Sequence, residues 1–403
     1  MSKVQSEHSQ SLWNAKFVAL IVTNGLFFGG FHLLLPVLPL YVSKMGANAT
    51  QVGLVAGIFV FSAIVIRLFS DVLKKRFGTI GSLFVGIIIS LICVVGYGMC
   101  QSVDGVLEVR LLHGVGFGIA TTFYATLAAA VIPAHRKGEG MGYFGLGTTV
   151  AMAVAPAIGL WLALDFDYYY VFYVALASQV IALVWTYFCR FQNQLPKETS
   201  TVKMAISYID QFAVKGARIP AVLTLLFGIG YGCVLNFVSI FSQQNGIGSP
   251  GLFFLLSTVC VFISRLFSGR IYDKLGAPYV VIPGTILFMV AFFGIARVHT
   301  ETLFLVCSLA YGFGLGALFP ALQTQILTSV PAEKSSAASA TFYNMLDIGN
   351  GLGAIIYGMI AVETGYTFLF TLSGWIMVAM LVLFVLTHRS HTVQPVKEAF
   401  AQD

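Results

Sequence analysis

The chain has 403 residues, of which 58% are hydrophobic and only 9% charged, and its mean hydropathy is +0.88. That is too little charge to cover a water-soluble protein of this length, and it places the chain in lipid. The formal net charge of +6 would suit a nucleic-acid binder, but the basic residues sit in short clusters between apolar runs, the pattern of membrane loops, so nucleic acid is excluded as a partner.

Apolar runs bounded by charged or turn residues predict twelve spans, at 17–42, 51–73, 79–100, 106–132, 139–163, 168–189, 219–242, 250–272, 279–297, 302–330, 335–361 and 366–387. Runs this long and continuous exclude membrane strands. The fold class is therefore an all-α integral membrane protein with twelve transmembrane helices. The polar segment 1–15 leads into an apolar run with no small-residue cleavage site after it, so it reads as a retained first span and not a signal peptide. With a cytoplasmic N-terminus, only Lys44, Arg110 and Arg297 among the basic residues fall outside, which predicts both termini in the cytoplasm.

The stretch 190–218 is the only long loop, and it divides the chain into a six-helix half at 1–189, a cytoplasmic linker, and a second half at 219–403. Within it Met204, Tyr208, Ile209 and Phe212 recur at helical spacing against Lys203, Asp210 and Lys215. That pattern fits an amphipathic helix on the inner membrane surface, or equally a linker with chance periodicity. The halves also repeat in sequence. The run Arg67 to Gly78 aligns without gaps on Arg265 to Gly276, an offset of 198 that also places Gly114, Gly116 and Gly118 on Gly312, Gly314 and Gly316, and Pro133 on Pro331. A duplicated six-helix unit predicts two pseudo-symmetric halves about a midplane site.

Several polar residues fall inside the predicted spans. Arg110 costs about 2.5–3.5 kcal/mol at a span centre, so it either faces an aqueous cavity or partner, or snorkels to the headgroups and pairs with Asp104 or Glu108. Asp347 lies too deep in the eleventh span for its short side chain to reach water; hydrocarbon disfavours its charge, which suits a proton carrier, although an aspartate packed beside Asn344 and Asn350 is the plainer alternative. His32 and His113 titrate near neutral pH when unperturbed, and either is equally a hydrogen-bonded packing residue. His113 shares a predicted helix face with Arg110, Phe117, Thr121 and Tyr124, a candidate cavity wall. Gly114 with Gly118, and Gly147, Ala151, Ala155 and Gly159, form smooth stripes for close helix approach, and Pro156 bends the second of these helices. Tyr168, Tyr169 and Tyr170 read as interface anchors. No phosphate loop, nucleophile elbow or metal-ligand cluster is visible, and the six cysteines have neither C-x-x-C nor histidine spacing. No enzyme activity, cofactor or metal is expected.

These motifs resemble the major facilitator superfamily over nearly the whole chain. Gly269-Arg-Ile-Tyr-Asp273-Lys274-Leu-Gly276 is similar to its loop motif between helices 8 and 9, while the first-half equivalent departs from it, with Asp71 in place of glycine and Lys75 in place of the acid. Arg67, Asp71 and Lys75 at i,i+4 spacing are expected to pair along one helix face instead. Gly30 to Pro36 resembles the first-helix pattern of twelve-span drug/proton antiporters, and Arg110 with Gly114 and Gly116 the fourth-helix motif of proton-coupled members, with His113 for the usual glutamine. Gly147 to Gly159, with Pro156, resembles the fifth-helix antiporter motif.

The resemblance implies that helices 1, 4, 7 and 10 line a central cavity, and it adds Asn24, Tyr231, Asn236 and Gln323 to His32, Phe117, Thr121, Tyr124 and Asn344 as substrate-binding candidates. The expectation is a monomeric secondary exporter of a small amphipathic compound in a bacterial cytoplasmic membrane. It is driven by protons through Asp347, with Arg110 and His113 as helpers. The alternatives are an exporter of a specific polar metabolite (a sugar, amino acid, nucleoside or opine-type metallophore) and a non-transporting sensor or lipid-handling protein on the same fold.

Overall fold

A computed structural model describes residues 13–133, 137–189, 216–331 and 335–390. It contains twelve helices long and apolar enough to cross a membrane, and no strand among the described residues. We number them as spans 1 to 6, Ala15–Lys44, Ala49–Arg67, Val72–Met99, Val103–Val131, Tyr143–Asp165 and Tyr168–Phe188, and spans 7 to 12, Arg218–Gln244, Pro250–Leu275, Pro278–Ile295, Glu301–Thr328, Ala337–Thr364 and Tyr366–His388. The linker residues 190–215, the basic residues His135 and Arg136, and the candidate amphipathic helix lie outside the described residues.

Local chemistry sets the helix starts. Asn48 and Gln51 form a reciprocal capping box before span 2, and the side chains of Ser102, Asp167, Ser249 and Thr300 cap spans 4, 6, 8 and 10. Span 1 breaks at Leu35 and Pro36, where proline has no N–H to continue the ladder.

One boundary differs from the sequence reading in a way that matters for function. Span 2 stops at Arg67, and after a turn at Leu68 and Phe69 a new helix starts at Ser70. Arg67 is therefore not on the helix that carries Lys75, and the predicted charge ladder from Arg67 through Asp71 to Lys75 does not form along one face. Lys75 is exposed, and the side chain of Asp71 lies outside the described residues. The chain then turns at Gly78, with φ 70° and ψ 174°; its repeat partner Gly276 has φ 95° and ψ 173°. A side chain at either position would strain the backbone, so the glycine that closes the repeated motif is fixed by conformation.

The duplication is visible in the packing. Gly114 rests on Phe59 and Ser62, Gly116 on Gly86 and Ser90, and Gly118 on Ala63 and Ile66. In the other half Gly312 rests on Ser257 and Cys260, Gly314 on Gly284 and Phe288, and Gly316 on Val261 and Ser264. Each contact partner is displaced by the same 198 residues as the glycine itself. A Cβ at any of these positions would overlap atoms of the neighbouring helix. The two halves thus use small residues for close helix approach in the same way.

The halves meet along two seams, span 2 against span 11 and span 5 against span 8. Near the loop before Ala49 the first seam is glycine-tight: Gly53 lies on Ala354 and Gly358, Gly57 on Gly351 and Ile355, and Gly358 on Ala49. The second seam is tied by Thr258 Oγ1 donating to the Ala153 carbonyl. Toward the opposite ends of these spans, the side on which span 1 begins, the halves part around a cavity.

Gly53→Leu puts a side chain into the backbone of Ala354 and is expected to cost the closed seam about 1–3 kcal/mol. A cysteine at Val60, in a background lacking the native thiols, should then react with an impermeant maleimide added from the side of the 45–48 loop. It should stay unreactive when Gly53 is retained.

Candidate functional site

The cavity measures about 930 Å³ and is lined from both halves. Its mouth is framed by Leu68, Ser70, Ala129, Met141 and Ala337. Two clusters gather the cavity's charged residues, Arg67 with Asp347 in one and Arg110 in the other.

The first cluster joins the halves. Arg67, the last residue of span 2, approaches Asp347 of span 11 with Nη1 3.7 Å from Oδ2; the side chains are 23% and 35% exposed within the cavity. The same Nη1 donates to Asn344 Oδ1 at 3.2 Å, and Nη2 donates to Thr121 Oγ1 of span 4 at 3.4 Å. Arg67 thus gathers three polar groups from two other spans. It is the only ion pair among the described residues. A pair this exposed is worth about 1 kcal/mol or less in water and more where water is excluded.

The second cluster occupies the closed end. Arg110 is only 1% exposed. Its Nε donates to the Val55 carbonyl at 2.9 Å, its guanidinium lies 4.1 Å from the Phe59 ring centroid and 5.6 Å from that of Phe31, and Nη1 has no hydrogen-bond partner. Neither Asp104 nor Glu108 pairs with it, so the snorkelling alternative is not the one adopted. His32, 4% exposed, also lines the cavity, stacked on Phe28 with ring centroids 6.1 Å apart, and its Nδ1 has no partner. Phe31, Phe59 and Phe117 pack around these groups at centroid distances of 4.3 to 5.2 Å.

Of the residues singled out in the sequence, Asp347, Arg110, His32, Asn24, Phe117, Thr121, Tyr231, Gln323 and Asn344 all line this cavity. Asn24 Nδ2 donates to Thr148 Oγ1 at 2.9 Å, joining spans 1 and 5. Three candidates turn away. His113 is fully buried between Ser90 Oγ and Tyr97 OH of span 3, each 2.9 Å from a ring nitrogen. Tyr124 OH meets Thr186 Oγ1 of span 6 at 3.3 Å. Asn236 Nδ2 donates to the Gly232 carbonyl at 2.8 Å and to Asn350 Oδ1 at 3.0 Å, knitting span 7 to span 11. The predicted span 4 wall splits because 100° per residue carries His113 and Tyr124 about 60° and 40° round the helix from Arg110. Phe117 and Thr121 stay within about 20° of Arg110 and keep to the cavity side.

The conformational motif residues sit elsewhere. Gly269, Asp273 and Lys274 are exposed at the end of span 8. Pro156 and Gly159 are buried in span 5, where Gly159 lies on Leu33 and Gly147 on Ile21 and Gly25, so this stripe is where span 1 comes close. Arg67, read from the sequence as part of the loop motif, is instead the partner of the central acid. No group of metal-ligating side chains occurs among the described residues.

Two pseudo-symmetric six-helix halves enclosing one cavity, closed at one end and open at the other, define a polytopic membrane transporter. The chain belongs to the Major Facilitator Superfamily, whose family profile matches residues 18–207 and 220–402. It is similar to the Staphylopine export protein of Staphylococcus aureus, 23% identical over 385 residues that cover 91% of this chain and 94% of that protein. It is similar also to the Multidrug resistance protein MdtG of Klebsiella pneumoniae, 26% identical over 374 residues that cover 87% and 88%. Among solved structures, the nucleoside transporter NupG shares the fold with a TM-score of 0.69 at 14% identity, over 92% of this chain and 99% of that one. The protein is a transporter and not an enzyme.

His113→Leu leaves two buried hydroxyls without their ring partner, at about 1–3 kcal/mol each. It is expected to lower the melting temperature by several degrees while leaving ligand affinity per folded molecule unchanged, as measured by thermal unfolding and equilibrium binding on the same preparation.

Proposed function

We propose that the protein is a proton-coupled exporter of a small amphipathic compound, working by alternating access, and that Asp347 is its proton site. The observation that carries this reading is the Arg67–Asp347 contact, which joins the two halves at the point where the span 2–span 11 seam opens into the cavity.

With Asp347 charged, Arg67 holds the seam from the cavity side while the glycine contacts hold it from the other, and the cavity faces the side of the termini. The proposal puts that side in the cytoplasm. A proton on Asp347 removes one charge of the pair and with it the reason for Arg67 to stay. A substrate that engages either partner has the same effect. Either ligand therefore loosens the seam, whereas the empty, charged transporter stays closed on the outer side. An antiporter needs this condition, because an empty carrier that switched freely would dissipate the gradient. The shift each ligand produces is limited to the difference in its affinity for the two states. Thr121, in the same half as Arg67, keeps its guanidinium hydrogen-bonded when the seam opens, and the neutral hydrogen bond to Asn344 is the weaker tie that remains across the seam once the carboxylate is neutral.

Export is supported by the export and resistance roles for which the relatives are named, and by the resemblance of the Gly147–Gly159 stripe to the fifth-helix antiporter motif. The exposed Asp273 and Lys274 at the membrane surface are expected to modulate the switch and not to touch cargo.

Replacing Asp347 with asparagine keeps the size of the side chain but removes its charge and its titration. Accumulation against a gradient in vesicles should fall to background while counterflow exchange of cargo persists. Concentrative transport at the wild-type rate by Asp347→Asn would refute the assignment.

A further inference from the structure

We propose that the closed end of the cavity is an anion subsite, and that the cargo carries a carboxylate which pairs with Arg110 and accepts a hydrogen bond from His32. This deepens the export reading by naming the cargo's chemical class, and it rests on that reading for the direction of transport.

The argument begins with an uncompensated charge. Arg67 and Asp347 neutralise each other, so among the described residues Arg110 leaves the cavity with one net positive charge before His32 is considered. A buried guanidinium is retained at a cost unless its charge and all its donors are satisfied. Here Nε is satisfied by the Val55 carbonyl and one face by Phe59, but Nη1 has no acceptor and no carboxylate among the described residues pairs with the group. His32 presents a second unpartnered nitrogen, Nδ1, in the same cavity, and its ring lies 5.1 Å from that of Phe31, the residue that also flanks Arg110. Two buried, unpartnered nitrogens in a cavity that Phe28, Phe31, Phe59 and Phe117 also line call for a group with negative charge on an apolar body.

The planar fork of arginine matches a carboxylate, and the Val55 hydrogen bond with the Phe59 ring fixes the plane of that fork, so little freedom is lost on binding. A lipophilic cation gains nothing at this end and meets repulsion. With its carboxylate on Arg110, a cargo extends along the phenylalanine wall toward Asp347, where a hydrogen-bonding or basic group can take the place of Arg67. That route makes cargo and proton rivals for one carboxylate.

The test uses two probes with the same apolar body, dansyl-phenylalanine and its neutral amide, titrated into the purified full-length protein in detergent and read by dansyl fluorescence. Charge-assisted hydrogen bonds predict that the acid binds about tenfold tighter than the amide or better. In Arg110→Gln the preference should collapse to near unity while the amide still binds, which also shows that the variant is folded. His32→Gln, a milder change in the same wall, should reduce the preference severalfold, and it keeps the test decisive should Arg110→Gln fail to fold. Equal binding of acid and amide by the wild type would overturn the subsite, as would a preference that survives in both variants. Asp347→Asn separates this outcome from that of the coupling reading: the acid preference should persist there although coupling is lost.

Discussion

In the proposed mechanism, the contact between Arg67 and Asp347 is the interaction on which the other features of this transporter depend. It lies where three things meet: the end of the glycine-tight seam, the wall of the cavity, and the boundary between the two halves. The glycines make the seam close but not interlocked, so little side-chain packing must be undone to open it. An ion pair set at the inner edge of such a seam has leverage out of proportion to its strength. A contact worth about 1 kcal/mol changes a two-state balance severalfold when the rest of the interface is nearly neutral between states.

The pair also breaks the symmetry of the frame that carries it. The repeat supplies Arg265 as the counterpart of Arg67, but the position equivalent to Asp347 is Thr149. The two seams join equivalent spans but are packed and charged differently. Arg265 lies over Phe319, 5.8 Å from the ring centroid, with its Nε unpartnered. Duplication thus explains the packing, through glycines with contact partners at one constant offset. The proposed chemistry rests on residues that the two copies do not share, namely Asp347, Arg110 and His32.

Much of this architecture was legible in the sequence, and the parts that were not have physical reasons. The spans were readable because hydrocarbon admits only long apolar helices, and the duplication because the close contacts at Gly114, Gly116 and Gly118 tolerate no side chain. Asp347 was readable as the only acid so deep in a span. Its partner was not. Arg67 looked like part of a surface loop motif, and its real place depends on where span 2 ends and on the antiparallel register of spans 2 and 11, neither of which a single chain states. Arg110 was ambiguous between water and headgroups until the Val55 carbonyl and the Phe59 ring located it. His113 was misplaced because a helical face is about as wide as the uncertainty in its rotation. Spacing put His113 beside Arg110; packing turned it toward Ser90 and Tyr97.

The most direct test of the central claim is the distance across the cavity mouth as a function of pH. Spin labels at Ala129→Cys and Ala337→Cys, one on each half, report it by pulsed electron resonance in lipid nanodiscs, with wild-type Asp347 and with Asp347→Asn. If, as proposed, protonation releases Arg67 and frees the seam, lowering the pH shifts the wild-type distribution toward shorter distances as the mouth closes. Asp347→Asn should show that short-distance population at every pH. If the asparagine variant follows pH as the wild type does, the charge of Asp347 does not govern which end of the transporter is open.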